Sequence, residues 1–413
     1  MKLRRVVITG MGAVSCAGSS APALWESLVK GRSGIGKVTL FDATDIGCPA
    51  GEVRDFTLAG VTPKEARRMA RFVRFAVGAA DAALDMAKLR KKPEAEASFR
   101  YGVLVASGAG GLDEYDSAMA SLCSRGVNSV SPFFIPKFIA NCVSGTLAAR
   151  YGWRGANFSP VSACSSGSHS IGEAAWVIRR NDADVMLAGG SEACLTKLMM
   201  SGFNSLTALS RNPVPGRACR PFDRDRDGFV MAEGAGVLVL EELEHALRRG
   251  APILAEVAGY GASCDAYHMT APDPEGSGMA QALRTALAHA GVAPEAVGAV
   301  SAHGTGTISN DRCETLALRS VFGAHTAHLK VTAIKSMIGH AFAAAGAFAA
   351  IAAVRTLRSG LVPPTLNYEH PDPECALDIV TGNAARVDPE YVMINALGFG
   401  GHNAALLLKK WEK

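Results

Sequence analysis

Residues 161–172 read Val161-Ser-Ala-Cys164-Ser-Ser-Gly-Ser-His-Ser-Ile-Gly172. A short apolar lead ends at a cysteine, and small residues then run into a helical stretch that closes on Arg179 and Arg180. This pattern predicts a sharp strand-to-helix elbow with Cys164 at its corner. The first turn of such a helix offers unpaired N–H groups and a partial positive charge. Both favour thiolate over thiol, which makes a better nucleophile. Ser165, Ser166, Gly167 and Ser168 are small enough for a bulky thioester to approach. On the elbow alone, a nucleophile and an inert core cysteine fit equally well. The other nine of the 10 cysteines lack this context, and no two are spaced CxxC, so a zinc ribbon has no support.

Outward from the elbow, short β-rich runs end in glycine or small polar residues. They are Val6–Thr9, Val103–Ala106, Val185–Ala188, Val237–Leu240, Val300–Ala302 and Val392–Asn395. Helical stretches alternate with them: Pro63–Leu89 behind a Thr62 cap, Ser165–Arg180, Gly278–Gly291 and Ala341–Arg358. The last is apolar all round and belongs at the centre of the molecule. The alternation predicts an α/β fold with buried sheets. Each half of the chain carries such a series. The join falls near Arg248–Pro252, which divides the chain into residues 1–251 and 252–413.

The 413 residues are 48% hydrophobic and 19% charged, enough apolar material for a large core. The net charge of +4 is too balanced for a protein that coats nucleic acid. MKLRRVVITGMG lacks the apolar core of a signal peptide. The longest apolar run, Ala341 to Val354, has 14 residues and reads as a buried helix, not a membrane span. A reducing, cytoplasmic setting is the expectation. Glycine is over-represented at 44 residues, without a collagen-like period. The first cluster, GMGAVS after Val6–Thr9, fails the dinucleotide pattern at Ser15 and reads as a tight strand-to-loop turn.

Three further segments carry chemistry-bearing residues among glycines. Ser301-Ala-His-Gly-Thr-Gly-Thr puts His303 at a strand end with Thr305 and Thr307 beside it. Val331-Thr-Ala-Ile-Lys-Ser-Met-Ile-Gly-His brings Lys335 and His340 to a turn before the apolar helix. Ala396-Leu-Gly-Phe-Gly-Gly-His-Asn surrounds Phe399 with glycines, so its N–H can approach a developing oxyanion.

Together these segments resemble the β-ketoacyl-acyl-carrier-protein synthases, most closely the synthase II type. Further blocks match in order: SGAGG at 107–111, Leu187-Ala-Gly-Gly-Ser-Glu, Arg220-Pro-Phe-Asp through Glu233-Gly-Ala-Gly, and Asp265-Ala-Tyr-His-Met-Thr. The resemblance covers essentially the whole chain. It implies a thiolase-like fold of two related α/β halves in a five-layered αβαβα body. The implied assembly is a homodimer, or a heterodimer with a related chain-length-factor-like subunit. It implies a decarboxylative Claisen condensation, with Cys164 holding the acyl group. Cys164 and Phe399 supply oxyanion N–H groups, and His303 and His340 bind the malonyl thioester carbonyl. Phe399 also gates the site. Lys335 and Glu314 form an ion pair behind the histidines, with Asp311 in the same loop. Thr305 and Thr307 flank the phosphopantetheine arm of acyl carrier protein. No metal and no other cofactor is implied.

Carrier proteins are acidic, so the cations Lys64, Arg67, Arg68, Arg71 and Arg74, spaced three and four apart on the first helix, are the candidate docking patch. Gly108 and Ala109 are candidate acyl-pocket residues, and Ala109 stands where fatty-acid synthases often carry a bulkier side chain. Ala343 and Ala349 depart from the common glycine and glutamate. The histidine loop also resembles the ketosynthase subunits of type II polyketide and polyene systems. A chain-length factor would lack the elbow cysteine, and a thiolase would carry a second cysteine near its C-terminus. The expected activity is therefore condensation in fatty-acid elongation or a specialised polyketide or aryl-polyene pathway.

Overall fold

The computed structural model describes residues 3–89 and 91–412. Its main sheet has nine strands: β1 (Val6–Ser15), β2 (Tyr101–Ala106), β3 (Val185–Glu192), β4 (Gly234–Glu242), β5 (Ala255–Cys264), β6 (Val297–Ser301), β7 (Lys330–Thr332), β8 (Tyr391–Gly398) and β9 (His402–Lys410). They lie in the order β2-β3-β4-β1-β5-β9-β8-β6-β7. The two halves of the chain meet at the β1–β5 seam, where Val7 faces Glu256 and Ile8 faces Ala255.

Outward from that seam the two halves repeat the same senses. In the first, β1–β4 and β4–β3 are antiparallel and β3–β2 parallel. In the second, β5–β9 and β9–β8 are antiparallel and β8–β6 parallel. Parallel β7 then flanks β6, just as Asn157 makes a parallel bridge to Val103 beside β2. The chain leaving the Asn157 lane reaches Cys164, and the chain leaving β7 reaches Lys335. Duplication therefore sets the nucleophile and the lysine at equivalent corners.

Alternation along each strand sorts side chains between layers. Val103 and Val105, Val185 and Leu187, Val237 and Val239 face an outer core with helix α1 (Arg71–Met86) and helix α2 (Cys142–Tyr151). Leu104, Met186, Leu238 and Leu240 face a central core shared with Val392, Ile394, Leu406 and Leu408 of the second half. Helix α3 (Ser166–Arg179) fills this central layer. Helices α4 (Ser277–Ala290) and α5 (Ile308–Phe322) cover the far side of the second half through Leu283, Leu318 and Met393. Helix α6 (Ala343–Ser359) is the second central helix, buried on nearly every side. The result is five layers, αβαβα. A side chain at Gly167 would put its Cβ 2.1 Å from the Ala343 carbonyl, so glycine there lets α3 and α6 meet.

Several elements differ from the sequence expectation. The Pro63–Leu89 helix breaks into Pro63–Arg67 and α1, because the chain turns out of helix at Arg68–Ala70. The first glycine cluster is not a turn: Gly10 and Gly12 lie inside β1. A Cβ there would meet the Ala83 or Ala79 carbonyl of α1 within 2.0 Å, so both glycines serve helix-on-sheet contact. Strands β5, β7 and β9 were not among the expected runs. Among the described residues, no helix is long and apolar enough to cross a membrane.

Candidate active site

Cys164 sits in a single 3-10 turn, Ala163–Ser165, directly ahead of α3. The lead at 158–162 pairs with no strand, so the elbow is loop-to-helix. Its shape comes from local bonds: Ser166 Oγ accepts the Ser162 N–H at 2.8 Å and donates to the Ala163 carbonyl at 2.7 Å. Ala163 itself has φ 50, a left-handed conformation that costs a non-glycine residue about 1–2 kcal/mol. Burial pushes the Cys164 thiol up to about 11, while Lys335 and the Phe399 N–H draw it down. Desolvation thus opposes the drift toward thiolate expected from the helix terminus, and leaves the thiol raised.

Phe399 is half-buried in the turn between β8 and β9, with Gly400 at φ 87 and Gly401 at φ 74. Its N–H and that of Cys164 itself both draw the Cys164 thiol down, which places both donors beside the sulfur. Two main-chain donors thus converge where a thioester oxygen would develop charge.

His303 follows β6, and His340 follows the short helical turn Lys335–Ile338. Their rings stand 5.3 Å apart and nearly perpendicular, at 87°. Burial holds both well below the ordinary histidine range, so both are neutral at pH 7. Lys335 Nζ donates to the His303 carbonyl and lies 3.3 Å from His303 Nδ1. An ammonium has only donors, so Nδ1 accepts and the ring proton sits on Nε2. Glu314 accepts the N–H groups of His303 at 2.7 Å and Gly304 at 2.8 Å, and the Asn395 amide at 2.9 Å. Lys335 and Glu314 make no contact ion pair among the described residues. The expected pair is instead bridged by the His303 main chain. Asp311 is fully buried and accepts the N–H groups of Thr305 at 3.1 Å, Gly306 at 3.2 Å and Phe222 at 2.7 Å. It braces the loop on which Thr305 and Thr307 share a 2.9 Å hydrogen bond.

A cavity of about 530 Å³ brings Cys164, His303, His340, Thr305, Thr307 and Phe399 together, with Gly108 and Ala109 on another part of its wall. Lys335, Glu314 and Asp311 stand behind that wall. Glu192, not among the residues expected from the sequence, is a buried wall residue that accepts from Ser107 Oγ, the Gly108 and Ala109 N–H groups and, at 3.3 Å, the Ala343 N–H. Its signal was present in the Gly-Gly-Ser-Glu block, without a role attached. Phe203, Phe229 and Phe342, also not among the expected residues, line the same cavity.

The cation patch divides. Lys64, Arg67 and Arg68 are exposed, the last over the Phe133 ring. Arg71 forks onto buried Glu233, with Nε–Oε2 at 2.8 Å and Nη2–Oε1 at 2.6 Å, and stacks on Phe75. Arg74 is half-buried with an unpartnered Nε. Arg71 is therefore held by the fold and not free on an open docking face. Among the described residues, one group could offer ligands to a cation, Asp223, Asp225 and His370. The Asp223 oxygens already accept the N–H groups of Asp225, Glu369 and His370.

Residues 3–246 match the beta-ketoacyl synthase N-terminal domain and residues 254–369 the beta-ketoacyl synthase C-terminal domain. The chain belongs to the β-ketoacyl synthase family, and is a condensing acyltransferase. It is 45% identical to a 3-oxoacyl-[acyl-carrier-protein] synthase 2 of Synechocystis, over 100% of this chain and 99% of the relative. Among solved structures it resembles the ishigamide ketosynthase/chain length factor, with TM-score 0.92 and 36% identity over 99% of this chain and 100% of that one. It also resembles the chain of a type II PKS acyl-carrier protein complex with its ketosynthase, with TM-score 0.92, 32% identity and the same coverage.

Proposed function

We propose that the protein is a β-ketoacyl-acyl-carrier-protein synthase that elongates a chain held on Cys164. In the first half-reaction the thiol loses its proton as it attacks an acyl carrier thioester. The carrier thiol leaves, and the N–H groups of Cys164 and Phe399 hold the tetrahedral oxyanion. In the second, malonyl carrier protein enters past Thr305 and Thr307. Nε2–H groups of His303 and His340 bind its thioester carbonyl. Loss of CO2 leaves an electron pair on the adjacent carbon, delocalised onto that oxygen as an enolate. The carbon attacks the acyl-Cys164 carbonyl, a carbon–carbon bond forms, and the cysteine leaves as thiolate. Decarboxylation generates the nucleophile, so no redox cofactor or metal enters this scheme.

The single observation that carries the reading is one cavity lined by Cys164, His303, His340 and the Phe399 turn. The partner is acyl carrier protein, with Lys64, Arg67 and Arg68 as its docking cations. The setting is the cytoplasm, consistent with ten unpaired cysteines. The functional division is residues 1–251, carrying the nucleophile, and residues 252–413, carrying His303, Lys335 and His340. Exposed Phe133, Ile135, Ile139, Phe158 and Val161 near β2 offer an apolar face for a second, related chain.

Fatty-acid elongation is the first reading of the pathway. A second, a specialised polyketide or aryl-polyene pathway with a chain-length-factor-like partner, is favoured by the small Ala109 on the cavity wall. Intact mass of the chains trapped on Cys164 separates them: saturated acyl groups support the first and polyketide or polyene groups the second.

A further inference from the structure

The two histidines are held by different means. His303 is fixed through Nδ1 by Lys335 and through its main chain by Glu314. His340 Nδ1 is buried and has no hydrogen-bond partner among the described residues. Its ring is instead clamped between aromatic neighbours. Phe342 stacks on it at 4.9 Å and 18°, and Phe229 meets it edge-on at 5.5 Å and 75°. Phe342 adopts φ 45, ψ −113, a conformation that disfavours any side chain. Strain of about 1–3 kcal/mol persists only where the surroundings over-determine the residue. Here they do: Phe342 is also stacked on Phe203 at 5.4 Å, and Phe203 lies 6.2 Å from Phe399.

We propose that Phe342 is the positioning residue for His340, doing by aromatic stacking what Lys335 does for His303 by hydrogen bonding. An imidazole without a partner at Nδ1 is free to turn about its Cβ–Cγ bond and to exchange tautomers. A face-on ring restricts the first freedom by fixing the plane of the imidazole. The proposal rests on the condensing reading above and deepens it. It gives Phe342 its main effect in the decarboxylation half-reaction, since acyl transfer uses the Cys164 and Phe399 donors.

The test uses the full chain with two substitutions. Phe342→Leu keeps apolar bulk without the aromatic face, and Phe342→Tyr keeps the ring. Each half-reaction is measured separately: transfer of labelled acyl groups from carrier protein to Cys164, and CO2 release from malonyl carrier protein. Phe342→Leu is expected to lower kcat for CO2 release by about tenfold to 10²-fold, with a clearly smaller loss of self-acylation. Phe342→Tyr is expected to restore the rate. His340 ring proton resonances should lose a ring-current shift in the leucine variant and keep it in the tyrosine variant. Equal losses in both half-reactions without rescue by tyrosine would reduce Phe342 to a packing residue and overturn the proposal. Unchanged CO2 release in Phe342→Leu would overturn it too. A wild-type protein that releases no CO2 overturns the condensing reading itself.

Discussion

Lys335 Nζ lies 3.3 Å from His303 Nδ1 and also donates to the carbonyl of the same residue. One ammonium thus fixes the ring tautomer and the main chain that carries it. Because the lysine is buried and walled off from the cavity, its hydrogen bonds act through the histidine, while its charge also draws the Cys164 thiol down. Lys335→Met should therefore slow CO2 release from malonyl carrier protein by about 10²-fold, the scale of a lost oxyanion donor. Acyl transfer to Cys164 should suffer less. Radiolabelled CO2 capture beside acyl-enzyme mass separates the two, and an equal loss in both would refute the assignment.

The Cys164 thiol, raised to about 11 by burial, should be alkylated by neutral iodoacetamide at a rate that climbs with pH beyond the ordinary thiol range. The thiolate fraction grows as pH rises toward the folded-state value, so a plateau near pH 8 would contradict the assignment. Glu192 raises that value through its charge. Glu192→Gln should shift the profile to lower pH, and a shift upward would exclude the carboxylate as a contributor.

Arg67 and Arg68 should behave differently from Arg71. Reversal of the exposed pair to glutamate should raise KM for acyl carrier protein and leave small thioester mimics unaffected. Equal effects on both substrates would remove the patch. Arg71→Ala leaves Glu233 buried without its partner, at a cost of about 3–5 kcal/mol. Urea unfolding should read that loss directly.

How much of this was legible beforehand depends on the kind of signal. Cys164, His303, His340 and Phe399 sit among glycines at element ends, and such punctuation survives in sequence. Strand β9 was missed because its run of leucines at 406–408 alternates across two cores, and so shows no polar face to read. The docking patch was over-read because spacing reveals a helix face but not that the helix stops at Arg67 or that Glu233, far along the chain, claims Arg71. Thiolate character was over-read for the same reason: the helix terminus is local, whereas the burial that opposes it comes from distant segments. Phe342 gave no signal, since its stacking on His340 depends on a positive φ that only coordinates disclose.

Ala109 offers a further check on the cavity wall. Ala109→Leu adds bulk beside Gly108 and should shorten the longest chain recovered from Cys164, as read by intact mass. An unchanged chain distribution would move the acyl chamber elsewhere.

The most direct measurement is a single-turnover experiment on the wild-type chain. Acyl carrier protein loads the enzyme, excess is removed, malonyl carrier protein is added, and the Cys164 peptide, CO2 and product are followed by mass. The expected result is an acyl adduct on Cys164 that disappears as CO2 and β-ketoacyl carrier protein appear in equal amounts. An adduct on another residue, or its discharge without CO2, would contradict it.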